Sequence, residues 1–148
     1  MDRKLFQNLI EVLDKIIKAN SKLKALFEEK RELLKSAKPD DLGVTDNKII
    51  AANNQILKLE NERKNLAILM KGEDTNMSGF IELAANEAPD FVEPLKERKV
   101  KICNDFQELA LLNQQNVELI KHGIIMTNKM LETVIDAFAP QGCNYNGA

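Results

Sequence analysis

Between Pro94 and Pro140 the sequence contains no proline, and its only glycine there is Gly123. Since proline and glycine are the residues that end or weaken helices, the run from Leu95 to Phe138 predicts one helix of about 44 residues, roughly 66 Å long at 1.5 Å per residue. From Leu109 to Phe138 its only charges are Glu118, Lys121, Lys129, Glu132 and Asp136, whereas Leu5 to Leu34 has charges at eleven positions in the same length. A helix so poor in charge is built to be covered.

At 100° per residue the charges and His122 fall on one strip, and the remaining roughly 200° is apolar or uncharged, wider than a one-sided amphipathic helix needs. Leu112, Leu119, Gly123, Met126 and Met130 form one edge of that surface; Phe106, Asn113, Val117, Ile124, Leu131 and Ile135 form the other. Leu109, Asn116, Ile120, Thr127, Val134 and Phe138 run between them. Two apolar edges predict two packed neighbours.

The neighbours lie upstream. Leu5, Leu9, Val12, Ile16, Ala19, Leu23, Leu26, Lys30 and Leu33 recur at alternating spacings of four and three, the seam of a helix packed along its length, over about 2–36. Pro39 and Gly43 then predict a turn. Thr45 or Asp46 is a candidate N-cap for a second helix, about 46–71, closed by Gly72. On its seam Arg63 reads as a charge that buries its stem and reaches a carboxylate. A loop follows with a short helix at about 79–85, then the long helix at about 91–138, with Asp90 as its cap and Pro94 tolerated in its first turn. Residues 139–148 read as a flexible tail. The expected architecture is all-α: one domain over 1–148, an antiparallel three-helix coiled-coil-like bundle with a long C-terminal helix. That helix exceeds the hairpin by on the order of 20 Å, so the end bearing Ile124, Ile125, Met126, Met130 and Leu131 lacks cover and marks a partner site.

The totals narrow the function. Twenty-one basic against 23 acidic side chains leave a net charge of -2 and a pI near 5.6, which supplies no global field for nucleic acid or an anionic membrane. Cys103 and Cys143 are the only cysteines and have no metal-ligand spacing, which fits free thiols in a reducing cytoplasm. The charged N-terminus does not read as a signal peptide, and no run reaches the ~18 apolar residues of a membrane span. No phosphate loop, nucleophile with a base, or Glu-x-x-His metal pair is present, so neither catalysis nor a cofactor is expected. His122, the single histidine, lies on the polar strip; histidine phosphotransfer domains place a glycine one turn after theirs, where this chain has Met126. Glu118 and His122, four apart, are two ligands without a third.

Asn113 and Asn116 leave two readings open, since a seam amide either fixes register or pairs with a bound polypeptide. Met126 and Met130 likewise either fill gaps or form an adaptable binding surface.

A charged helical hairpin, a long helix carrying Leu109 to Asn116 as Leu-x-x-Leu-Asn-x-x-Asn, then Leu119-Ile120 and a closing Tyr145 and Gly147, resembles the FlgN-type flagellar export chaperones; Leu59-Glu60 with Arg63 is similar to the family's second-helix pattern. The resemblance implies a cytoplasmic chaperone that holds hook-associated proteins before type III export, preventing premature assembly. It implies that the partner's C-terminal segment binds the C-terminal helix, here Leu112, Asn113, Asn116, Leu119, Ile120, Gly123, Ile124, Met126, Thr127, Met130, Leu131 and Val134. The export apparatus is a further expected contact. The competing reading is a self-associating coiled-coil module, a homodimer whose second copy covers the free seam.

Overall fold

The computed structural model describes residues 3–36 and 38–138, with the side chains of all of these but 39, 126, 130 and 134–138; the expected tail lies outside the described residues. Four α-helices follow one another: α1 (Arg3–Lys35), α2 (Pro39–Lys71), α3 (Met77–Glu87) and α4 (Val92–Phe138), with a single 3-10 turn, Pro89–Phe91, before the last. There is no strand among the described residues, and the fold is an all-α bundle.

The α1–α2 connection is tighter than expected, and α2 begins at Pro39 rather than near Thr45 or Asp46. Lys38 leaves the helical region (φ -106°, ψ 80°), as a residue before proline tends to. Pro39 is suited to the first turn because it lacks an N–H that would go unbonded there. Asp40 and Asp41 complement the helix dipole. Gly43 is therefore helical, and Thr45 is buried inside α2 at 2% exposure instead of capping it.

At the other end of α2, Gly72 closes the helix in the left-handed conformation (φ 81°), its N–H donating to the Ile68 carbonyl. Asn76 caps α3 by accepting from the Gly79 N–H at 3.0 Å. A Cβ at Gly79 would fall 1.8 Å from Thr75 Oγ1, so any larger residue there requires the Thr75 side chain to turn away. Asp90 does not cap α4; its carboxylate pairs with the Arg3 guanidinium, which also lies over the Phe91 ring.

Cross-helix bonds fix the directions. Arg98 donates to Asp14, Lys24 pairs with Glu108, and Asn116 Nδ2 donates to the Phe27 carbonyl at 3.1 Å. Numbers rise together along α1 and α4, so these two run parallel, while α2 is antiparallel to both. The central element is α1: it packs along both α2 and α4, which approach each other only marginally. That corrects the expectation of two neighbours for α4. Its Phe106–Leu131 edge stays exposed, with Phe106 at 46%, Val117 at 39% and Ile124 at 55%.

The core has two parts. Phe6, Leu9, Leu13, Ile16, Leu59, Phe80, Ala84, Leu95 and Ile102 belong to a cluster that α3 seals at one end. Leu23, Leu26, Ile49, Ala52 and Leu109 form a smaller one further on. Between them along α1 sits Asn20, 1% exposed with neither side-chain atom hydrogen-bonded, beside a small cavity that it shares with Asp105.

Candidate functional site

Burial along α4 stops abruptly. Leu95, Ile102, Leu109, Leu112 and Asn116 are buried and Leu119 is half-buried, whereas every described side chain from Ile120 to Thr133 is exposed. The cause is the length of α1. Phe27 lies opposite Asn116, so α1, ending at Lys35, accompanies α4 to about Ile124. The last ~14 residues of α4, on the order of 20 Å, continue without it.

Where the three helices part they enclose a groove of about 810 Å³. Its walls are Leu33 and Leu34 from the end of α1, Leu42 from the first turns of α2, and Leu119, Ile120, Gly123, Ile124 and Thr127 from α4. Gly123 has no atom within 4 Å of where a Cβ would stand, so the α4 wall is open at that point. The charges on the lining are Lys30 and Asp46, paired at 2.7 Å, with Lys30 the less exposed of the two. An apolar trough with one neutralised ion pair at its rim suits a guest with an apolar face.

Of the residues expected to contact a partner, Leu119, Ile120, Gly123, Ile124 and Thr127 meet in this groove. Leu112 and Asn116 are buried against α1, and a guest reaches them only if α1 moves aside. Asn113 is exposed on the uncovered edge, and Leu131 is exposed beyond the groove. The side chains of Met126, Met130 and Val134 lie outside the described ones. The contributions of Leu33, Leu34 and Leu42 had a visible signal: the first two end the α1 apolar stripe, and Leu42 interrupts an otherwise polar Pro39–Gly43 stretch.

Other candidates have plain placements. His122 is exposed on α4 and Cys103 is an exposed free thiol; Cys143 lies outside the described residues. Among the described residues no group of three or more potential ligands could hold a metal ion, and no helix is long and apolar enough to cross a membrane. Arg63 makes a structural clasp: it donates to Glu60, to the Thr75 carbonyl at 2.6 Å and to Asp74, and lies over the Phe80 ring. Its hydrogen bonds to the Glu60 carboxylate raise its already high pKa. Across the α1–α4 contact, the hydrogen bond from Lys24 holds the Glu108 carboxyl below its ordinary range and raises the Lys24 ammonium in turn.

The model of the FlgN protein family matches residues 1–148, the whole chain. The chain belongs to the FlgN family. FlgN proteins act as flagellar export chaperones and bind hook-associated proteins. No curated protein and no solved structure compared with the chain matches it. In the Leu-x-x-Leu-Asn-x-x-Asn run that carries the FlgN resemblance, Leu109, Leu112 and Asn116 turn inward and Asn113 is exposed. In this FlgN chain the run serves chiefly to seat α4 on α1, one helical turn before the groove begins.

Proposed function

We propose that this FlgN chaperone holds the C-terminal segment of a hook-associated protein in the groove where α4 leaves α1, in the cytoplasm, keeping the client from assembling before its export. The carrying observation is the coincidence of an apolar groove with the point where α4 loses its intramolecular cover. A disordered amphipathic tail would fold as a helix with its apolar face against Leu119, Ile120, Ile124 and Leu42, the ordering cost keeping the complex releasable. Further along α4, Leu131 is exposed beyond the groove, and Met126, Met130 and Val134 are the remaining proposed contacts. Lys30 and Asp46, paired with each other at the rim, leave the groove without a net charge for the guest to match. The export apparatus then takes over the loaded complex.

The test is retention of a hook-associated protein's C-terminal peptide by wild type and by Ile124→Glu. Ile124 is 55% exposed, so its replacement leaves the bundle folded, and a charge in the groove should weaken binding at least tenfold, about 1.4 kcal/mol. Unchanged affinity counts against the groove.

A second reading rests on the exposed Phe106–Val117–Ile124–Leu131 edge: a second copy of the chain covers it. Light scattering across concentrations decides, since a mass that stays monomeric removes this reading.

A further inference from the structure

A second furrow runs between α1 and α2 and shares no lining residue with the client groove. It encloses about 490 Å³ and is lined by Lys15, Lys18 and Lys22 on α1, Ala51 and Gln55 on α2, and a floor of Ala19, Ala52 and Leu59. Lys48 stands one turn before Ala51 and Lys58 one turn after Gln55, so both extend the same face of α2. All five lysines are exposed, and none forms an ion pair within the described residues. Elsewhere Lys24, Lys30, Lys35, Lys96, Lys101 and Lys121 each meet a carboxylate, while the other unpaired lysines among the described residues, such as Lys64 and Lys129, stand apart from one another and line no common cleft. No acidic side chain lines the furrow, and carboxylates return only at its end, with Glu11 and Glu62 in the adjoining cleft.

Five unneutralised like charges around one cleft repel one another, a cost that a partner of opposite charge removes. The alanine floor supplies what a phosphate backbone or a lipid headgroup cannot use: a dry apolar strip between two cationic rims. The furrow's α2 wall runs from Ala51 to Leu59, roughly 12 Å, the length of about two helical turns, with Lys48 and Lys58 flanking it. We infer that it is a docking site for an acidic amphipathic helix of a protein partner, with small apolar residues against Ala19, Ala51 and Ala52 and glutamates or aspartates toward the lysines. Because the furrow and the groove are separate, the chaperone can engage this partner while a client remains bound.

The test uses the full chain and a fluorescein-labelled helical peptide of about 14 residues with an Ala/Leu face flanked by glutamates, followed by anisotropy. Parallel arms use the same peptide with glutamine for glutamate, phosphatidylglycerol vesicles, and oligo-uridylate. Saturable binding that weakens with salt is expected. It should drop at least tenfold in Lys15→Glu/Lys18→Glu/Lys22→Glu, with the lysine-to-glutamine triple as a second variant if circular dichroism shows the first to be misfolded. Ala51→Leu, which fills the furrow without changing charge, should also weaken it several-fold. Lys64→Glu/Lys129→Glu, on exposed sites elsewhere, should leave it within about twofold. The inference is overturned by absent saturation, by equal binding of the glutamine peptide, by insensitivity to Ala51→Leu, by equal loss in the Lys64/Lys129 variant, or by preference for vesicles or oligo-uridylate.

Discussion

The two ends of the bundle solve opposite problems. At the end near the start of α1, the short helix α3 closes the core over Phe6, Phe80 and Leu95, each without exposed surface. Its connection to α2 is clasped by Arg63, the left-handed Gly72 and the Asn76 cap. At the other end nothing among the described residues caps the core: α1 and α2 turn within three residues, α4 runs on, and Ile120, Ile124, Ile125 and Leu131 are exposed. Stability is thereby concentrated at one end, and the proposed client site lies at the other.

The largest expected effect tests that division directly. Phe80→Ala should cost about 3–5 kcal/mol, the range for emptying a buried aromatic site, whereas Ile124→Glu should change stability by less than about 0.5 kcal/mol, as exposed substitutions do. Urea unfolding of the two variants beside wild type gives both numbers. Equal losses would erase the contrast between the ends. Next comes the clasp: Arg63→Ala removes charge-assisted bonds to Glu60 and the Thr75 carbonyl and should cost about 1.5–3 kcal/mol, with faster amide exchange confined to residues 72–79.

Asn20 should respond in the opposite direction. Its amide is buried with no hydrogen bond to another described protein group, so Asn20→Leu should raise stability by about 1–2 kcal/mol by joining the two core clusters. A drop in melting temperature would show that the amide has a partner that it needs. Two glycines of α2 form a smaller pair of opposite sign. Gly43 is helical with open space around it, and Gly43→Ala should gain ~0.5–1 kcal/mol. Gly72→Ala, at φ 81°, should lose about 1 kcal/mol or more.

The smallest effect is that of pH. Hydrogen bonds from Lys24 and Arg3 hold the Glu108 and Asp90 carboxyls below their ordinary ranges. Depressed carboxylates contribute stability that is present above the unfolded pKa and lost as pH falls through the folded one. The Lys24–Glu108 link between α1 and α4 should therefore weaken under acid, and again in strong alkali as Lys24, whose pKa the same bond raises, gives up its proton. Both pairs are solvent-exposed, so 0.5 M salt should flatten the dependence.

Much of this was legible in the sequence. The long α4 followed from the absence of breakers, its uncovered end from its length against the hairpin, and the Gly72 stop from position. The α2 start was not, because Gly43 reads as a turn residue while a single helical glycine costs only ~1 kcal/mol, which the proline start, two acidic residues and the burial of Thr45 outweigh. Asn20 continues the spacing Leu9, Leu13, Ile16, Asn20, Leu23, yet a polar residue on a seam is easily passed over for its neighbour Ala19. Helical periodicity marks α4's apolar face but not which line of it meets α1, and the family resemblance puts Leu112 and Asn116 in one set with Ile120 and Ile124. Only the register set by Asn116 and Phe27 separates the inward pair from the groove.

The most direct test of the division between the ends is calorimetric titration of a hook-associated protein's C-terminal peptide into wild type, Ile124→Glu and Phe80→Ala, with unfolding curves on the same samples. The expected result is lost binding at full stability for Ile124→Glu, and retained binding at reduced stability for Phe80→Ala wherever it remains folded. Full binding by a folded Ile124→Glu, or its unfolding, would contradict a client site at the open end.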